Sequence, residues 1–407
     1  MTGKLELRGN RDLMKAMNRS LLLNIIRREG ELSRTQLAEQ SGLSVGAVSQ
    51  IIAALMDEGW ILESGEGEFT GGRRQVLLRL NPTAAYAVGV KLMERRIVCA
   101  VTDFEAHVVH YHDQRIRFES NPRAESQLIA SVVETTIAES GVPRERLLGV
   151  GVGIAGVIYS DTGVVHYSPY FGWRDVPLAG LLAEQVNLPV YVENDVNTLT
   201  FTEMLFGDGR YHSNVVVVTI GRGIGMGIVI NGQLYQGSQG GAGELGHTIL
   251  DAAASRGVAD QGSLETMASD PMVLKSLSKN GTSPTIEEVV AAADAGDADA
   301  RAALAHSGEL LGVGLANVIN ILCPNLLIVS GEGLVAGAHR LEPMFDAIRR
   351  CTFNGLLDDV QILIKPTDDH AWARGAASLV ISKTFESPLV AGHYAPSGVA
   401  ADGGDGR

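Results

Sequence analysis

Residues 33–56 carry the pattern that most constrains this chain. Ser33-Arg34-Thr35-Gln36 has capping-box spacing, in which Ser33 and Gln36 satisfy each other's exposed backbone amides. It predicts a short helix with Leu37 and Ala38 facing inward. Gly42 supplies a turn and Ser44 caps a following helix. Val45, Val48, Ile51, Ile52, Leu55 and Met56 then recur at helical spacing as its buried stripe. A preceding helix over 19–28 presents Leu21, Leu22, Ile25 and Ile26 on one face. Trp60-Ile61-Leu62 and residues 75–80 read as two strands around Gly65, Gly67, Gly71 and Gly72, a wing whose loop carries Arg73-Arg74.

Two short helices joined by a glycine turn, with small polar residues opening the second, suit a DNA major groove. Gly46, Ala47, Ser49 and Gln50 would face the bases, and Gln50 has the side-chain amide that bonds adenine twice. Arg34 and Ser44 flank them, while Arg73 and Arg74 are placed to reach a phosphate or the minor groove. A head used only for dimerisation would leave those wing arginines without a purpose. The net charge of −14 argues against nucleic acid only if spread evenly, and it is not. Residues 1–82 hold 11 Lys+Arg against 10 Asp+Glu, and within residues 1–35 eight basic side chains face four acidic ones.

Asn81-Pro82 marks a boundary. Beyond it, β-rich segments cover 86–92, 95–103 and 107–118, a strand ends near Ile154, and strands alternate with helices to about Phe385. The organisation expected is a head over 1–82, an α/β body over 83–386 and a disordered tail over 387–407, which has two prolines, five glycines and little bulk. At 407 residues, 45% hydrophobic and 20% charged, the chain has material for more than one core. The longest apolar stretch, 310–329, is broken by Asn317, Asn320, Pro324 and Asn325, and the N-terminus is polar. Both point to a cytoplasmic protein without a membrane span. Cys99, Cys323 and Cys351 read as buried thiols in a reducing compartment, with no disulfide framework.

The body carries an ordered set of motifs. Gly153-Ile154-Ala155-Gly156, Glu193-Asn194-Asp195, the glycine-rich run from Ile220 to Gly227, Gly243-Glu244-Leu245-Gly246-His247 and Gly262-Ser263-Leu264-Glu265 follow in that order. This set resembles the ROK family of sugar kinases and repressors. The head, with Thr70-Gly71-Gly72-Arg73-Arg74, is similar to that of its NagC/Mlc/XylR-type regulators. The resemblance spans nearly all of residues 10–385. It implies an actin-like (ribonuclease H-like, ASKHA) two-lobed α/β body after a winged helix-turn-helix, with sugar bound in the cleft between lobes. By the same resemblance, Asn194 and Asp195 would hold the distal sugar hydroxyls, and Glu244, His247 and Glu265 those near the anomeric end. The residue types suit that role, because carboxylates, an amide and an imidazole supply the donors and acceptors that hydroxyls need. Trp173 matches a family aromatic beside the ligand-facing loop, where packing is the expected role.

Two departures matter. The family's kinases open this domain with Asp-x-Gly-Gly-Thr, which admits the ATP phosphates. Here Lys91 stands about where that aspartate would be, followed by Leu92, Met93 and Glu94, and Arg222 replaces a usual threonine in the second glycine loop. Asp195 matches the kinases' catalytic base, but a base without a phosphoryl donor does no chemistry. The family also binds zinc through the histidine matching His247 and three cysteines. Arg256, Val258 and Ser263 occupy those cysteine positions, and one histidine cannot hold a tetrahedral site. The expectation is therefore a sugar-responsive repressor of carbohydrate-utilisation genes, without ATP or zinc, binding operator DNA as a homodimer or homotetramer. The alternatives are an active sugar kinase with an added head, and a regulator controlled by a protein partner.

Overall fold

The computed structural model describes residues 11–66, 75–119, 121–255, 261–279 and 282–387. The chain divides into two compact units, residues 1–210 with 373–407 and residues 211–372. The expected tail, apart from Ser387, lies outside the described residues.

The first unit opens with α1 (Arg11–Glu29), β1 (Leu32–Ser33), α2 (Arg34–Ser41) and α3 (Val45–Asp57), then β2 (Ile61–Glu66) and β3 (Val76–Leu80). The capping box forms as the spacing requires: the Gln36 amide donates to Ser33 Oγ at 3.3 Å, and the Ser33 amide donates to Gln36 Oε1 at 2.9 Å. Gly42 ends α2 at φ +69°, a left-handed conformation that costs a residue without Cβ little. Ser44 Oγ accepts from the Ala47 amide at 3.2 Å and starts α3. β3 pairs antiparallel with both β2 and β1, so the base of the wing has three strands and not two. The apolar period errs twice. Leu21 is exposed while Leu23 is buried, and Val45 is 54% exposed. Val45 opens α3 a turn before Val48, Ile52 and Leu55 reach the core.

That core does not stop at Pro82. Leu22, Ile26, Leu37, Ile52 and Leu78 belong to one apolar cluster with Phe104, Leu205, Ile381 and Phe385. Phe104 meets the Trp60 ring edge-on at 5.1 Å and stacks on Phe385 at 5.2 Å. The boundary at Asn81-Pro82 is thus a change of pattern and not a gap in packing.

The unit continues with β4 (Tyr86–Met93), β5 (Arg96–Asp103), β6 (Val108–Arg115), α4 (Pro122–Ser140), β7 (Leu147–Ile154), β8 (Val157–Tyr159), β9 (Val164–Ser168), β10 (Trp173–Val176), α5 (Leu178–Val186), β11 (Val190–Asn194) and α6 (Asp195–Leu205). Its main sheet has the order β11-β7-β4-β5-β6. β4, β5 and β6 form an antiparallel meander, which β7 and β11 extend in parallel. The continuous apolar runs of β4, β5 and β7 are buried along nearly their whole length, as strands covered on both faces must be.

The second unit contains β12 (Val215–Ile220), β13 (Ile224–Ile230), β14 (Gln233–Leu234), α7 (Leu264–Ala268), α8 (Asp270–Ser276), α9 (Ile286–Asp294), α10 (Ala298–Leu322), β15 (Leu326–Ser330), α11 (Ala338–Cys351) and β16 (Gln361–Lys365). Its sheet order, β14-β13-β12-β15-β16, repeats the first: an antiparallel meander extended by two parallel strands. This duplicated topology is the actin-like α/β body. α10 is long and apolar enough to cross a membrane, yet it is a core helix, with Leu311, Leu315 and Ile319 clustered with Met344 and Ile348 of α11.

α12 (Asp369–Phe385) leads the chain back into the first unit. It lies so close to the main sheet that a Cβ on Gly89 would sit 1.9 Å from the Ala373 carbonyl oxygen, and one on Gly151 equally near that of Ala376. The cysteines divide. Cys99 is buried in β5 as expected, but Cys323 and Cys351, at the ends of α10 and α11, are exposed. Cys323 is the left-handed cap that follows α10, and Cys351 follows Arg349 and Arg350 at the end of α11, so both stand where the helices leave the core.

Candidate functional site

The head presents the start of α3 to solvent. Ser44, Val45, Gly46 and Gln50 are exposed, Ala47 and Ser49 half-buried, and nothing lies within 4 Å of where a Gly46 Cβ would be. This is the open, small-residue face that groove entry needs. Val45, assigned to the core by its period, adds an apolar group to that face. Arg34 is tethered instead: its Nη2 lies 3.7 Å from Glu63 Oε1 and 3.6 Å from Met56 Sδ, along the wing. Arg73 and Arg74 lie outside the described residues.

In the body of the first unit, β11 delivers Asn194 and Asp195 to the start of α6. Asn194 is the N-cap; its Oδ1 accepts from the Val196 amide at 2.9 Å and the Asn197 amide at 3.3 Å, and its Nδ2 donates to the Gly156 carbonyl at 3.1 Å. The cap therefore ties α6 to the glycine turn after β7. Beside it, Glu193 is fully buried and accepts from Asn197 Nδ2 at 3.0 Å and Ser160 Oγ at 2.7 Å, which fixes the loop beneath both candidates. Asp195 is engaged. Lys91 of β4 donates its ammonium to Asp195 Oδ2 in a buried ion pair. The sequence placed Lys91 at the position of a lost aspartate but gave no sign that it would reach across to the matching base. Trp173 packs as expected: it is 1% exposed and donates Nε1–H to Glu125 Oε2 at 2.8 Å.

In the second unit Glu244, His247 and Glu265 come together around one tight turn. His247 Nδ1 lies 3.2 Å from Glu244 Oε2, so a carboxylate orients the imidazole. Glu265 Oε2 accepts from the Ile224 amide at 2.8 Å, and a Cβ on Gly246 would lie 3.1 Å from that same oxygen. Ser263, at one expected cysteine position, spends its hydroxyl capping α7 through the Thr266 amide. Arg256 and Val258 lie outside the described residues. Among the described residues no group of three His, Cys, Asp or Glu side chains is arranged to hold a metal.

The second glycine loop is also filled. The Arg222 amide donates to Glu332 Oε1 at 2.9 Å, and the Glu332 carboxylate carbon would lie 2.2 Å from a Gly221 Cβ. A protein carboxylate thus takes an amide that would otherwise be free to meet an anionic ligand.

A winged helix-turn-helix joined to a duplicated α/β body defines the class: a DNA-binding regulator on a sugar-kinase scaffold. The chain belongs to the ROK family, whose pattern matches residues 87–383, and a winged helix-turn-helix DNA-binding pattern covers residues 18–61. It is 31% identical to the xylose repressor of Bacillus subtilis over 90% of this chain and 96% of that one. A ROK family transcriptional regulator homologous to Escherichia coli Mlc superposes with a TM-score of 0.79 at 24% identity, covering 94% of this chain and 100% of that one. A ROK glucokinase from Streptomyces griseus, solved with glucose and AMPPNP, matches 72% of this chain and 99% of its own at 27% identity and a TM-score of 0.62.

Proposed function

We propose that this chain is a cytoplasmic, sugar-responsive repressor of carbohydrate-utilisation genes. It binds operator DNA through α3 and the wing, as a homodimer or homotetramer presenting two heads to a pseudo-palindromic site. Its effector is a small sugar, for which Asn194 and Asp195 of the first unit and Glu244, His247 and Glu265 of the second are each candidate contacts. The Lys91–Asp195 pair carries this reading. It occupies one oxygen of the carboxylate with a cation while leaving the group able to accept a hydroxyl hydrogen bond, which suits a binding group better than a proton-abstracting base. Neither ATP nor zinc has a part. Glu332 fills the phosphate-loop amide, and Ser263 offers a hydroxyl where a thiolate would be needed.

The similarity to a xylose repressor makes D-xylose the first effector to try, with D-glucose and N-acetylglucosamine beside it. Sugar alters DNA binding only if it prefers one of two arrangements of the protein. Duplex affinity measured with and without each sugar tests this. A tenfold or larger change with one of them is expected, and no change with any would leave only a constitutive DNA binder. The similarity to a glucokinase favours a second reading, an active kinase, which a coupled ATPase assay decides; no sugar-dependent turnover is expected.

A further inference from the structure

The sugar candidates of the first unit stand at one end of α6, and the other end is held by the head. α6 is 11 residues long, roughly 16 Å at 1.5 Å per residue. Its start is Asn194 and Asp195. Its last carbonyls, like those of any helix, lack intrahelical partners. Arg27, in the last turn of α1, takes them: Nη1 donates to the Leu205 carbonyl and lies 3.4 Å from that of Met204. A cation there also opposes the negative end of the helix dipole. Burial, and then Arg28 and Arg210, lower the Arg27 pKa to about 10, so it stays charged at neutral pH.

Arg27 belongs to a knot. Its Nη2 donates to Asn24 Oδ1 at 3.2 Å, its guanidinium lies 5.3 Å from the Phe385 ring centre, and Asn24 Nδ2 donates to the Phe385 carbonyl at 2.7 Å. Ser20 Oγ donates to the Phe385 and Glu386 carbonyls at 3.1 and 2.9 Å. Phe385 ends α12, which lies against α6: a Cβ on Gly375 would be 2.9 Å from the Thr198 backbone, and Thr202 Oγ1 donates to Ser378 Oγ at 3.0 Å. Eight of the 11 residues of α6 are buried, so it cannot bend independently of its surroundings. A shift of its first turn reaches the Leu205 carbonyl with no loop between to absorb it.

We propose that Arg27 is the positioning residue through which ligand binding at Asn194 and Asp195 is transmitted to the DNA-reading head. This rests on the sugar-site reading above. A residue that merely glued the head to the body would affect stability and DNA affinity alike, with and without sugar. A transmitting residue sets the ratio of those two affinities, because coupling is a difference between states.

The test uses the full-length protein and a duplex that the wild type selects from a random-sequence pool. Anisotropy gives duplex affinity with and without D-xylose, D-glucose or N-acetylglucosamine, and calorimetry gives sugar affinity. For the sugar that changes wild-type duplex affinity tenfold or more, Arg27→Met should keep sugar affinity within threefold while shrinking the change below threefold. Arg27→Lys, which keeps a cation near the Leu205 carbonyl, should recover most of it. Full coupling in Arg27→Met would overturn the inference alone. So would both variants losing sugar affinity and melting temperature together. No heat and no change with any sugar in the wild type would overturn the sugar-site reading, and this inference with it.

Discussion

Lys91 and Asp195 form an ion pair whose side chains are only 7% and 12% exposed. Removing one member of such a pair strands the other's charge away from water, at a cost of about 3–5 kcal/mol. Lys91→Met is therefore predicted to lower the urea midpoint strongly, and Lys91→Met with Asp195→Asn to regain most of the loss. A single variant as stable as the wild type would show that water or another cation already serves Asp195.

Asn194 joins a structural duty to the proposed sugar contact. Losing a side-chain cap costs about 1 kcal/mol, and Asn194→Ala also removes the bond to the Gly156 carbonyl. We predict a loss of about that size in unfolding free energy, with no heat on titration of the effector sugar. Retained heat would remove Asn194 from the site.

The head separates two kinds of contact. Gln50→Ala should relax preference at one base pair. Arg73→Ala or Arg74→Ala should weaken every duplex and reduce the salt slope by about one each. Val45, exposed beside Gly46, should matter most where a thymine methyl lies opposite, so Val45→Ala should lose discrimination at one such position. Affinity against a set of single-base variants reads all four. Identical profiles for Gln50→Ala and the wild type would take α3 out of the groove as drawn.

Much of this was legible because it is local. The Ser33–Gln36 box, the Gly42 turn and the Ser44 cap depend on residues within a few positions of one another. Their geometry follows the spacing. The motif Glu193-Asn194-Asp195 likewise forms a strand end and helix cap, whichever role is given to it. What sequence left unread is long-range. Lys91 meets a partner 104 residues away, Glu332 one 110 residues away, and Arg27 one 178 residues away. No periodicity encodes such pairs. The errors at Leu21 and Val45 have another cause: a period says which residues share a face, but not where along the helix the neighbouring core begins.

Cys99 gives a test that depends on pH. Burial pushes its thiol from an ordinary 9.0 up to about 12, although Thr136 opposes the shift. Above about pH 9 the unfolded chain loses this proton while the folded chain keeps it. Unfolding then releases a proton, and stability falls as pH rises between those two values, by about 1.4 kcal/mol per pH unit. Well below pH 9 both states hold the proton and the thiol contributes no slope. Lysines and tyrosines also titrate in this range, so the measurement is a difference: urea unfolding of wild type and Cys99→Val at pH 8, 9 and 10. The variant should lose less stability than the wild type from pH 9 to 10, and by a smaller margin from pH 8 to 9, where the unfolded thiol is only beginning to ionise. A thiol reagent at pH 8 should meanwhile modify Cys323 and Cys351 in the native protein and Cys99 only after unfolding. Parallel curves, or three thiols reacting at once, would mean that β5 opens to solvent far more readily than its burial implies.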